Sequence, residues 1–254
     1  MTTELHALVD GPPDAPVLVL GPSLGTTTAL WAPALPFLTD RCRVIRYDHR
    51  GHGGSPVPAG PYRIEDLGGD VLALLDRLGF ARAHVAGVSL GGMVAMWVAA
   101  HAPERVDRLM PICTTTRFTP PEMWRDRAAA VRANGLSSIA DAVVARWLPP
   151  GADPAVVAAA YDLLAGVPDE GYANTCAALE VADLGPDLGR ITAPTLVFAG
   201  EVDPASPPAH AERIAAGIAG ARVTVVPGAA HLAVLTHPAV VAASMTAFLE
   251  ETDE

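Results

Sequence analysis

HVAGVSLGGM, residues 84–93, decides how the chain is read. An apolar run of strand length stops at a single serine, Ser89, framed by glycines at 87, 91 and 92, and an apolar segment of helical length follows. Gly87-Val-Ser-Leu-Gly91 fits G-x-S-x-G, the strand-to-helix turn that holds a nucleophilic serine above a sheet. In that geometry the amide of Leu90, at the helix start, points to where a carbonyl oxygen becomes negative during acyl transfer. The pentapeptide is only moderately specific, because Gly and Ser are common in loops, so the rest of the chain has to supply a base and an acid.

Outward from this stretch, VLVLG (17–21), RVIRYD (43–48), HVAGV (84–88), RLMPIC (108–113), TLVFAG (195–200) and RVTVVPG (222–228) read as buried strands. Helical patterns fall between them: IEDLGGDVLALLDRLGF puts Ile64, Leu67, Val71, Leu74, Leu75 and Leu78 on one face, and residues 90–101, 207–218 and 238–249 also read as helices. The alternation predicts an α/β fold, a mostly parallel sheet flanked by helices. Residues 117–190 break the rhythm with helical segments alone, which predicts a helical cap inserted into a core formed by residues 1–116 and 191–254.

Composition narrows the function. The formal charge of −11 argues against nucleic acid as a partner. No apolar run approaches the roughly 18 residues of a membrane span, and the N-terminus lacks a basic region followed by an apolar one, so the expected location is cytoplasmic. All 17 basic residues are arginine, which excludes lysine Schiff-base chemistry and a P-loop. Cys42, Cys113 and Cys176 are too few and scattered for a disulfide framework or a metal site, and read as buried free thiols.

A serine nucleophile needs a histidine base oriented by a carboxylate, and in a sheet of this type the chain order is Ser, acid, His. Asp203 lies in GEVDPASPP after one predicted strand, and His231 in PGAAHLAVLTHP after the next. Both follow the C-terminal ends of strands, where open parallel sheets build their sites. The second oxyanion donor is expected from GPSLGTTTALW, with the amide of Leu24 facing the site. The plain alternatives are a turn serine at 89, a helix cap at Asp203 and a core histidine at 231. His49 and His52, in a glycine-rich turn, read as structural hydrogen-bonding residues rather than catalytic ones.

With these segments in hand, the sequence resembles the α/β-hydrolase superfamily along nearly its whole length. More narrowly, GPSLGTTTALW, RYDHRGHGGSPVPAGPY, MWRDRAAAVRANGLSSIADAVVARWL and GYANTCAALEVADL resemble 3-oxoadipate enol-lactonases of aromatic-compound catabolism. Two departures are a short N-terminus, which calls an edge strand into question, and Thr236 where a glutamate is usual. The resemblance implies that Ser89 opens an enol-lactone to 3-oxoadipate with Asp203 and His231, the amides of Leu24 and Leu90 hold the oxyanion, and no metal or cofactor is needed. It also implies a small, anionic lactone as the partner and therefore local positive charge. Six arginines lie in the insertion region, at 117, 125, 127, 132, 146 and 190. Arg127, three residues from Trp124 on one helical face, is the expected carboxylate clamp, with Trp124 and Trp147 as pocket walls or plain core. Rival readings on the same scaffold are a general carboxylesterase, a carbon–carbon bond hydrolase, a cofactor-free haloperoxidase or perhydrolase, and a small-ligand sensor that does not turn over. The sequence assigns no oligomeric state.

Overall fold

The computed structural model describes residues 2–251; residue 1 and residues 252–254, which the expected core range included, lie outside them. Seven strands form one sheet: β1 (Ala7–Asp10), β2 (Val17–Gly21), β3 (Arg43–Tyr47), β4 (Ala83–Val88), β5 (Val106–Ile112), β6 (Leu196–Gly200) and β7 (Arg222–Val226), in the order β1-β3-β2-β4-β5-β6-β7. All neighbours are parallel except β1, which runs antiparallel along β3. This β1 edge is the strand that the sequence reading did not find. Leu8 and Val9 are 40% and 42% exposed, so no buried apolar run marks it.

The helices are α1 (Leu35–Leu38), α2 (Ile64–Leu78), α3 (Leu90–His101), α4 (Glu122–Asn134), α5 (Ala140–Trp147), α6 (Pro154–Ala165), α7 (Asp169–Val181), α8 (Pro208–Gly217), α9 (Ala233–Thr236) and α10 (Pro238–Leu249). α2 begins where the Asp66 carboxylate accepts the Arg63 amide at 2.9 Å and ends at Gly79, whose φ of 78° is a left-handed cap. Its apolar stripe, from Ile64 through Leu75, packs inward. α3 is apolar all round because it is buried nearly all round.

Between β5 and β6 the chain forms α4 to α7 with no strand. This insertion seats on the core through α7. Gly171 meets Gly51 backbone to backbone, so closely that a Cβ on either residue would overlap the other's main chain. The Tyr62 amide adds a hydrogen bond to the carbonyl of Asn174 at 3.2 Å. The three cysteines are buried and unbridged, and burial pushes the Cys176 thiol up to about 12. No helix among the described residues is long and apolar enough to cross a membrane.

Candidate active site

β4 ends at Val88, and Ser89 turns the chain into α3 with φ 54° and ψ −110°, a left-handed backbone rare for a residue with a Cβ. The turn is held on several sides. The Ser89 amide donates to the Ile112 carbonyl at 2.9 Å, and its own carbonyl accepts from Met93 N–H at 3.0 Å and Thr114 Oγ1 at 2.7 Å. Gly87 and Gly91 are the residues that permit the reversal: a Cβ on Gly87 would strike the Gly91 main chain, and one on Gly91 would strike the Gly21 carbonyl.

Asp203 follows β6 and His231 follows β7, as the alternation predicted. His231 Nδ1 lies 2.9 Å from Asp203 Oδ2, and both side chains are nearly inaccessible. The second Asp203 oxygen accepts the amides of Ala205 at 2.8 Å and Ser206 at 3.1 Å. Ser206 Oγ also donates to Asp203 Oδ2 at 2.6 Å. Burial raises the Asp203 carboxyl, but the adjacent His231 and the hydrogen bonds from His231, Ser206 and Ala205 outweigh it and hold the group below the usual carboxylate range. Asp203 is not the cap of the next helix, which begins at Pro208 behind Pro207. Ser206 is the partner the sequence reading missed; its only signal was a hydroxyl three residues beyond the acid.

Ser89 and His231 line one cleft, whose cavity volume is about 40 Å³. With Nδ1 tied to Asp203, Nε2 is the ring nitrogen left for chemistry there. Leu24 lines the same cleft, and Leu90 is the first residue of α3. Neither the Leu24 nor the Leu90 amide is a donor among the hydrogen bonds of the described residues. The insertion contributes Trp124, Arg127, Arg146, Trp147 and Tyr172 to the wall. It is also tied to the histidine loop, because the Leu232 amide donates to the Trp147 carbonyl at 3.0 Å.

The arginines of the insertion region divide cleanly. Arg117, Arg125, Arg132 and Arg190 pair with Asp183, Glu180, Glu170 and Asp187 at 3.5, 3.7, 3.1 and 3.4 Å. Among the described residues Arg127 and Arg146 have no ion-pair partner, and these are the two that line the cleft. The Arg127 guanidinium sits 4.9 Å from the centre of the Trp124 ring and 3.4 Å from the Tyr172 hydroxyl. Burial first, and the Arg127 charge second, pull Arg146 below the ordinary arginine value, opposed by Asp203 and Tyr172. Trp124 Nε1 is buried with no acceptor among the described residues. The sequence reading named Arg127, Trp124 and Trp147 but did not single out Arg146 or Tyr172. Arg146 stands one residue before Trp147, and nothing in its spacing sets it apart from the paired arginines. Among the described residues no group of three or more His, Cys, Asp or Glu is arranged to hold a metal ion.

The model of a family described as alpha/beta hydrolase fold matches residues 16–238. 3-oxoadipate enol-lactonase 2 of Acinetobacter baylyi is 42% identical over 197 residues, covering 76% of this chain and 74% of that protein. A relative in Stutzerimonas stutzeri, provisionally named carbamate hydrolase RutD, is 33% identical over 235 residues, 88% of this chain and 86% of its own. Among solved structures, the enol-lactonase from Burkholderia xenovorans LB400 superposes with a TM-score of 0.94 at 41% identity, over 98% of this chain and 97% of that one.

Proposed function

This chain belongs to the α/β-hydrolase family, and on that premise we propose that it is a serine hydrolase opening 3-oxoadipate enol-lactone. Ser89 Oγ attacks the lactone carbonyl while His231 Nε2 takes its proton and Asp203 steadies the resulting imidazolium. The amides of Leu24 and Leu90 receive the tetrahedral oxyanion. Collapse breaks the ring carbon–oxygen bond, and the ring oxygen leaves as an enolate that takes the proton from His231 Nε2, restoring the neutral imidazole, and ketonises. It is a better leaving group than a simple alkoxide. The chain is then an acyl ester on Ser89; water, deprotonated by His231, adds to its carbonyl, and the second collapse returns the proton to Ser89 and frees 3-oxoadipate.

One observation carries the choice of substrate: in a protein of formal charge −11, the two cleft-lining arginines are those of the insertion region without acidic partners among the described residues. Two guanidiniums side by side repel, and an incoming carboxylate relieves that repulsion with paired hydrogen bonds. The enol-lactonase names of the two relatives at 42% and 41% identity support the same reading.

The test is steady-state turnover of 3-oxoadipate enol-lactone beside p-nitrophenyl acetate and a carbamate ester. Lactone hydrolysis should dominate, and Ser89→Ala should lower it by about 10⁴-fold or more. Fast ester cleavage with an inert lactone would transfer the protein to the carboxylesterases. Binding of the lactone with no turnover at all would make it a sensor.

A further inference from the structure

The turn after β3 grips the loop that carries Leu24. His49 Nε2 lies 3.0 Å from the Pro22 carbonyl oxygen, and the Gly25 amide donates to His52 Nε2 at 3.2 Å. Pro22 and Gly25 flank Leu24 in sequence, so one bond is made before it and one after. Asp48, the residue preceding His49, accepts the Thr28 amide at 2.6 Å and carries the grip further along the loop. The Pro22 carbonyl is shared with the Gly91 amide at 3.1 Å, which joins this loop to the first turn of α3 beside Ser89.

The two imidazoles hold opposite tautomers. A carbonyl can only accept, so His49 carries its proton on Nε2. An amide can only donate, so His52 leaves Nε2 bare and carries its proton on Nδ1, 3.3 Å from the Arg50 carbonyl. Both rings are inaccessible, at 1% and 0% exposure, and neither lines the cleft. Burial lowers them to about 3 and about 4, so both stay neutral and keep these opposite roles at ordinary pH.

We propose that His49 and His52 are positioning residues that fix the peptide planes around Leu24, so that its amide is aimed before the oxyanion forms. The inference rests on the reading of Leu24 as an oxyanion donor. It goes beyond that reading by naming what holds the peptide planes on either side of the donor's own, whose Ser23 carbonyl accepts from the Thr26 amide at 3.1 Å and hydroxyl at 2.9 Å. A preset donor acts without reorganising when charge develops, and a displacement of about 1 Å can cost on the order of a hundredfold in rate.

The test uses His52→Phe, which keeps a ring but loses the acceptor, His52→Asn, whose shorter amide falls short of Gly25, and His52→Gln, whose Oε1 reaches the place of Nε2. Rates are measured on p-nitrophenyl acetate as well as the lactone, so that an incorrect choice of natural substrate leaves the test intact. Ser89→Ala is run beside them, and ester turnover persisting there would instead sink the hydrolase reading. For folded Phe and Asn variants kcat should fall about ten- to a hundredfold on both substrates with KM within twofold. Affinity for a trifluoromethyl ketone, whose alkoxide adduct on the serine needs the same donors, should fall by the same factor. His52→Gln should recover most of both losses. If His52→Phe does not fold, His52→Asn decides alone. Rates and ketone affinity unchanged in a folded Phe or Asn variant would overturn the proposal, as would a Gln variant no better than Asn.

Discussion

Arg127 and Arg146 separate binding from chemistry at the scale of single side chains. Both line the cleft with no acidic partner among the described residues, whereas Ser89 and His231 face the same space as nucleophile and base in the proposed reaction. Alanine at either arginine should raise KM for the anionic lactone about ten- to a hundredfold, the worth of one or two charge-assisted hydrogen bonds. KM for the neutral ester should stay within about twofold. Parallel losses on both substrates would take the arginines out of carboxylate binding. The strand-end positions of Ser89, Asp203 and His231 were legible in the sequence because each has small or turn-forming neighbours, and strand ends can be read from local apolar runs. Arg146, Tyr172 and Ser206 were not. Where Arg146 and Tyr172 stand depends on which acids the neighbouring helices present and on how the insertion folds over the sheet, and neither is written in local spacing; Ser206 sits three residues past Asp203 in one loop, with a hydroxyl as its only signal.

At the scale of elements, the docking of α7 rests on two facing glycines. Gly171→Ala puts a methyl group into the Gly51 main chain, and the helix has to lift or slide to admit it. Overpacking of this kind typically costs about 1–3 kcal/mol. The expected result is a lower urea midpoint with an unchanged slope, together with a higher lactone KM as Tyr172 moves with its helix. A midpoint equal to wild type would show that the contact tolerates a Cβ. Six of the seven strands and the helices of the insertion were readable from their apolar runs and periods, but β7, expected to be buried, is a half-exposed sheet edge with Val225 43% exposed. β1 was not readable, because four half-exposed residues become a strand only by pairing with the edge of β3.

For the molecule as a whole, the buried neutral histidines set a response to acid. His49 and His52 have folded values of about 3 and about 4 against an ordinary 6.5, so on lowering the pH the unfolded chain takes up their protons first. Stability should therefore be level above about pH 6.5 and decline steadily toward about pH 4. Asp203, held below its ordinary 3.8, extends the same decline to lower pH as its carboxylate is protonated. Thermal midpoints measured across this range test the slope, and His52→Gln should flatten part of it. A midpoint unmoved between about pH 7 and about pH 4.5 would contradict the neutral burial of these rings.

The hydrogen bond from the Leu232 amide to the Trp147 carbonyl has a dynamic corollary. A roof that swung open on its ends would strip that amide of its acceptor in every cycle, just beside His231. The less disruptive passage keeps the helices seated and lets rim side chains swing aside for ligand entry and exit. In deuterium oxide, Leu232 should then exchange in step with the amides of α5, as one cooperative body, rather than with the faster surface turns.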